Sequence, residues 1–265
     1  MKSASFSRTI TLLVGALLLS APTAADAASI LITGSNRGIG LGLAQRYAEM
    51  GWTVYATARN PAGADKLKAL DAQFDNLTVD ELDVTDDVEI ATLAKKLEGK
   101  SIDVLINNAG MLGDITKQNA ENIDYDVIKR IMEVNVYGPM KMTKAFLPHV
   151  KASEQKKILT MTSGLGSMTF TQRLGRFYGY RMSKAAVNMA MRAMHADLKG
   201  EADGLVIGLI APGQVQTELL FASGFRGPGS ITVEESIDGL VGVIENVTAE
   251  NVGPPVNYNG EEMPW

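Results

Sequence analysis

The sequence predicts an α/β fold, a single domain built on a doubly wound parallel sheet with helices on both faces. Three observations predict it. Short apolar, β-branched runs alternate along the chain with stretches of helical periodicity. A glycine-rich turn joins the first such run to the first helix. No internal repeat and no linker divides the chain beyond that helix. Alternation of this kind belongs to parallel strands covered on both faces, with ligands at the carboxyl ends of the strands.

Residues 29–33 (SILIT) are the first strand, the turn after them carries Gly34, Gly38 and Gly40, and residues 41–50 are a helix. Such a turn lets backbone approach a pyrophosphate, and the new helix points unpaired N–H groups and its positive dipole end at the phosphates. The spacing, Gly-x-x-x-Gly-x-Gly, differs from the common dinucleotide fingerprint, so taken alone the turn is as readily an ordinary tight loop. Residues 53–58 (TVYATA) form a second strand closed by Arg59-Asn60-Pro61, residues 65–70 a short helix, and residues 77–82 a third strand ending at Asp83-Val84. A helix over 88–97 places Val88, Ala91, Leu93, Ala94 and Leu97 toward a core, and the buried strand 102–106 runs into Asn107-Asn108-Ala109-Gly110. From Tyr125 a long helical pattern, interrupted at Gly138-Pro139, ends near Pro148. Residues 157–162 (KILTMT) are a strand, 178–199 a helix rich in Ala and Met, and 205–210 a strand ending at Ala211-Pro212-Gly213. Residues 221–230 are a glycine-rich loop suited to a lid, 233–247 a helix, and 257–265 carry no strong pattern.

The chain has 265 residues, 46% of them hydrophobic, enough for one large core. Its net charge of −5 is spread over interspersed acids and bases, leaving no basic face for nucleic acid. The absence of cysteine excludes disulfides, thiolate catalysis and cysteine-ligated metal. His149 and His195 stand in no nucleophile elbow and at no metal-ligand spacing, so both read as structural and no metal is expected. At the start, Lys2 and Arg8 precede an apolar run over 10–19, and small residues lead to Ala25-Asp26-Ala27. Residues 1–27 therefore read as a signal peptide and 28–265 as the globular domain, exported to a periplasm or secreted. Uncleaved, the same segment would tether the protein to a membrane; a cytoplasmic location is the other alternative.

Tyr180 and Lys184 lie four apart on one predicted helix, hence on one face about a turn apart. An ammonium there favours an ionised phenol and would lower its pKa from about 10 toward working pH, which would make Tyr180 a proton donor and acceptor; on spacing alone an ordinary solvent-facing Tyr and Lys is the commoner reading of such a pair.

With Thr33-Gly34-x-x-x-Gly38-Ile39-Gly40, Asp83-Val84, Asn107-Asn108-Ala109-Gly110, Asn135, Ser163, Tyr180-x-x-x-Lys184 and Pro212-Gly213-x-Val215-x-Thr217 in order, the chain resembles the short-chain dehydrogenase/reductase family from Ile30 onward. The run 178–186 (YGYRMSKAA) and the closing residues 257–265 look like its sniffer-type carbonyl reductase and C-factor branch. The resemblance implies a Rossmann fold and hydride transfer between a nicotinamide and a carbonyl or alcohol. It implies that Tyr180 is the general acid/base and that Lys184 holds the nicotinamide ribose. It further implies that Ser163 bonds the substrate oxygen and that Asn135 holds a water linking Lys184 to solvent. The family spacing to the tyrosine falls on Ser167, but Ser163 begins the local Ser-x-x-Gly pattern and ends its strand, and it is preferred. Extra residues between Phe170 and Phe177 would account for the longer gap.

Gly34, Ser35, Asn36, Arg37, Gly38, Ile39 and Gly40 would cradle the pyrophosphate. By the resemblance, Asp83 and Val84 would flank the adenine, Asn107, Ala109 and Gly110 would pass behind the cofactor, and Pro212, Gly213, Val215 and Thr217 would line the carboxamide end. The end of the second strand, where NAD enzymes place an acid, carries Arg59, and Arg37 stands in the glycine turn; two cations favour NADP over NAD. The substrate is expected to be a small carbonyl or alcohol with an apolar part, near Met111, Phe170 and Phe177. The family also implies a homodimer or homotetramer. A non-catalytic dinucleotide-binding signalling protein of the same fold is the competing reading, disfavoured because a pure binder needs no proton donor.

Overall fold

The computed structural model describes residues 27–171, 175–226 and 228–264. The expected signal segment lies outside the described residues except for Ala27. In chain order the elements are β1 (Ser29–Ile32), α1 (Gly38–Glu49), β2 (Thr53–Ala58), α2 (Asp65–Gln73), β3 (Leu77–Glu81), α3 (Asp87–Lys96) and β4 (Val104–Asn107). A small antiparallel hairpin, β5 (Gln118–Asn119) and β6 (Asn122–Ile123), leads to α4 (Tyr125–Met132) and α5 (Gly138–Lys151). Then come β7 (Lys157–Met161), α6 (Met168–Thr171), α7 (Tyr178–Leu198), β8 (Val206–Ala211), α8 (Glu218–Ala222), α9 (Val233–Asn246) and β9 (Val256–Asn257).

Seven of the strands form one parallel sheet in the order β3-β2-β1-β4-β7-β8-β9. Successive residues of β1 point to opposite faces, so Ile30 and Ile32 join a core under α1, α2 and α9, while Leu31 joins a second core under α3, α5 and α7. Both faces being covered is why the strands read as continuous apolar runs rather than alternating ones. The chain leaves β1 for β2 on one side and returns at β4 on the other, so a crevice opens at the carboxyl ends of β1 and β4.

Among the boundaries that differ from expectation, four have a plain local cause. Helix α1 starts at Gly38 rather than Leu41, so two of the turn's glycines are already helical. The break near Gly138-Pro139 is a π turn over Glu133–Tyr137, which bulges the helix around Asn135; Pro139 then sits in the first turn of α5, where its missing N–H goes unused. Helix α5 carries on past Pro148 to Lys151, because a proline this close to the end removes one bond without stopping the last turn. The tail supplies β9, whose two residues are too few for any periodicity to show.

Candidate active site

The first strand ends in a tightly stapled turn. Thr33 Oγ1 accepts the backbone N–H groups of Asn108 and Ala109, each at 3.0 Å, and Asn108 Nδ2 donates to the carbonyls of Thr33 and Gly34 at 2.8 and 3.1 Å. Gly34 holds φ +69°, and a Cβ on it would stand 2.9 Å from Ala109 Cα; a Cβ on Gly40 would collide with the Gly34 carbonyl and with Asn108 Nδ2. Only glycine fits that approach of strand, turn and helix. The opening of α1 has no side-chain cap and no acid in its first turn, which leaves its first amides for an anion, and this backbone cradle fits a dinucleotide pyrophosphate.

Ser35 is fully buried, its hydroxyl donating to Ile32 O at 2.9 Å, whereas Asn36 and Arg37 are exposed and Ile39 packs on the core. Arg37 pairs with Glu218 at the start of α8 at 2.7 Å, and the Thr217 methyl lies 3.4 Å from where a Gly38 Cβ would be. The segment after β8 thus returns to the glycine turn. Arg59 is exposed beyond β2. Asp83 is pulled up by partial burial, but bonds from Thr85 and the charges of Arg130 and Arg59 outweigh this and hold its carboxyl below the usual range. Val84 is buried against Gly138.

Asn107 turns inward to Thr143 and Thr160, so its side chain braces β4 against α5 and β7 rather than facing the crevice. Asn108, read from sequence only as part of the 107–110 run, is the residue that ties the turn. Pro212 O accepts from Ser236 at 2.7 Å, Gly213 adopts φ +83° beneath Tyr258, and Val215 bridges to Ile231.

At the other end of the crevice, α7 carries Tyr180 and Lys184, 7% and 6% exposed. Ser163, at the end of β7, hydrogen-bonds the Tyr180 phenol. Ser167 does not join them: it is buried, and its hydroxyl accepts the Phe170 amide. Lys184 Nζ donates to Met161 O at 2.8 Å and stands 5.7 Å from the centre of the Tyr180 ring. The net lowering of the phenol expected from Lys184 is not found: burial outweighs it in this structure. Burial pushes Tyr180 up to about 12, the Ser163 bond offsetting only part of it, and burial pushes Lys184 down to about 8.

Asn135, in the π turn, accepts from Met111 N at 2.8 Å and donates to Met111 O and to Ser183 Oγ. Both of its N–H donors are thus engaged by protein. A Cβ on Gly110 would stand 3.4 Å from Asn135 Oδ1 and 3.9 Å from Lys184 Nζ, which brings the 107–110 segment against this group.

Two further residues position the wall, and nothing local in sequence marks them. Arg181 donates to Arg176 O, Leu165 O and Thr171 Oγ1, and Gln118, fully buried, accepts the Tyr180 amide. His149 and His195 meet the backbone at Ala94 O and Ile207 N, remote structural roles, and among the described residues no acidic or histidine cluster of metal-binding kind occurs.

The arrangement can therefore hold a dinucleotide along one edge of the sheet and present a protonated phenol at the end of it. A family model described as short chain dehydrogenase matches residues 28–223. The chain belongs to that family. It is an NAD(P)-dependent short-chain dehydrogenase/reductase, and its fold is that of the family's carbonyl reductases. The C-signal protein of Myxococcus xanthus is 37% identical over 165 residues, 62% of this chain and 93% of that one. An NADPH-bound carbonyl reductase from chicken fatty liver superposes with a TM-score of 0.80 at 30% identity, over 91% of this chain and 100% of that one. The carbonyl reductase Sniffer of D. melanogaster gives 0.79 at 28% identity, over 90% and 100%.

Proposed function

We propose that this short-chain dehydrogenase is an NADP-dependent carbonyl reductase in which Tyr180 gives its proton to the substrate oxygen and takes it back when an alcohol is oxidised. One observation carries the reading. A buried phenol, bonded to Ser163 and held protonated at neutral pH, stands beside a cleft that Ser163 lines. A nicotinamide dinucleotide bound along the crevice supplies or accepts the hydride.

The glycine turn and the start of α1 would hold its pyrophosphate, and Arg37 and Arg59 its 2′-phosphate. Asp83 and Val84 would border the adenine, and the 107–110 backbone with Pro212, Gly213, Val215 and Thr217 would border the nicotinamide. Lys184 keeps N–H groups beyond the one given to Met161, and these would hold ribose hydroxyls while its charge stabilises the phenolate left after proton transfer. Ser163 fixes the carbonyl's approach. Asn135 steadies the Met111 backbone and Ser183 beneath this group.

The test is turnover of aldehydes and ketones followed by nicotinamide absorbance, with NADPH and NADH at matched concentrations. Comparable efficiency with NADH would overturn the NADP preference.

Tyr137, Met140, Met182 and Met189 stand exposed on the π turn, α5 and α7, an apolar face that supports a homodimer or homotetramer; a monomeric mass in solution would exclude it. The N-terminal segment supports export, to be tested by fractionation and N-terminal sequencing of the mature protein.

A further inference from the structure

The cleft beside Ser163 has a volume of about 460 Å³, and its walls include Ser163 to Leu165 after β7, Phe170 on α6, the 211–214 segment after β8, Ile231 ahead of α9, and Met263 from the C-terminal tail. Among the described residues that line it there is no Asp, Glu, Lys or Arg. The tail reaches this place by a specific fold-back. After β9 the chain reverses at Gly260, φ +83°, with Asn257 N donating to Glu261 O and Met263 N to Pro255 O, so residues 255–263 form a closed loop strapped to the sheet edge.

Tyr258 pins that loop. Its ring and backbone fill a slot that any Cβ on Gly239 would obstruct, and its ring lies 2.9 Å from where a Gly213 Cβ would stand. The loop's last described contact places the Met263 methyl over the site, since a Cβ on Gly164 would meet Met263 Cε at 3.3 Å and Phe170 Cδ2 at 3.4 Å. Two apolar side chains from distant parts of the sequence therefore converge on the residue after Ser163.

We infer that the cleft accepts an uncharged carbonyl compound whose larger substituent is apolar, and that Met263 with Phe170 sets how large that substituent can be. The inference rests on the carbonyl reductase reading for its reaction but not for its geometry. A charged group entering an apolar wall leaves its hydration behind with no counter-charge to replace it, which is why a carboxylate-bearing ketone should be excluded. A thioether is flexible and fills irregular space, so Met263 would yield to different apolar groups while still closing the cleft to water.

The experiment compares kcat/KM for a methyl ketone with a short alkyl substituent and for its naphthyl counterpart in the wild type, Met263→Ala, Met263→Trp and Phe170→Ala. Met263→Ala and Phe170→Ala should raise the naphthyl-to-alkyl ratio about tenfold and Met263→Trp should lower it by a similar factor, as expected for changes of a few methylenes in an apolar pocket. Met263 is only half-buried and Phe170 exposed, so these variants keep the fold, and thermal melting verifies it.

A second arm measures calorimetric affinity for the same two ketones in a Tyr180→Phe background, where nothing turns over. Normal turnover with ratios unchanged within twofold in all three variants overturns the inference. No turnover of either ketone in the wild type, with the affinity ratio still tracking Met263, overturns the reductase reading and leaves this inference standing. Affinities that ignore Met263 and Phe170, or a carboxylate-bearing ketone bound as tightly as its neutral analogue, overturn it again.

Discussion

Two sets of cations border the same crevice under opposite conditions. Arg37 and Arg59 stand in water beside the glycine turn, and Arg37 is already paired with a carboxylate whose side chain is 73% exposed. Lys184, some distance along the same edge, is 6% exposed, donates to the Met161 carbonyl and has no carboxylate partner among the described residues. The first pair are solvated charges, screened by salt and worth little by themselves; a 2′-phosphate, if NADP is the cofactor as proposed, would be gripped in a bidentate way. The second is a charge the fold holds at a loss, its pKa driven down to about 8 by burial alone. On the proposed reading, the difference separates two halves of the function: recognition in replaceable surface charge, chemistry in groups whose ionisation the fold has already disturbed.

The sharpest way to break this division is at the phenol. Tyr180→Phe removes one oxygen and should lower kcat by about a hundredfold to ten-thousandfold while leaving NADPH affinity within about twofold. Loss of cofactor binding would place Tyr180 among the recognition groups. Lys184→Met comes next, because it should affect rate and stability in opposite directions. Turnover should fall by about a hundredfold or more.

The free protein, however, should become more stable near neutral pH. In the native state Lys184 titrates near 8 against 10.5 when unfolded, so between those values the unfolded chain binds more protons and stability rises with pH. Below pH 8 the full penalty, on the order of 3 kcal/mol, applies. Methionine removes it and should flatten that rise, less the loss of the bond to Met161. Chemical denaturation at pH 7 and pH 10 measures both, and a destabilised variant at pH 7 would mean the charge is better compensated than its surroundings show.

The same contrast separates what was legible in the sequence from what was not. The strand, glycine turn and helix at residues 29–50 were legible because each signal is local, and so was the spacing that puts Tyr180 and Lys184 on one face of α7. The direction of the Tyr180 shift was not. Spacing shows that a lysine is near, but only the packed structure shows that the phenol has lost its water and that the ammonium is turned to Met161. The inward turn of Asn107, the strap of Arg181 across 165–176 and the seating of Tyr258 over Gly213 and Gly239 likewise depend on partners far away in the chain, and β9 is too short to carry a pattern.

The surface cations sharpen the comparison with smaller effects. Arg59→Ala should raise the KM for NADPH about tenfold and leave that for NADH unchanged, a difference that fades in about 0.5 M salt, as that of an exposed charge must. The smallest effect is expected at Glu218. Its carboxylate holds Arg37 at 2.7 Å in the free protein, so an incoming 2′-phosphate competes with it for the same guanidinium. An exposed pair of this kind contributes about 0.2–1 kcal/mol, which bounds the gain. Glu218→Gln should therefore lower the KM for NADPH by no more than about fivefold, with NADH unaffected, and the gain should vanish in an Arg37→Ala background. A gain that survives the loss of Arg37 would show that Glu218 acts through its own negative charge on the phosphate rather than by occupying the arginine.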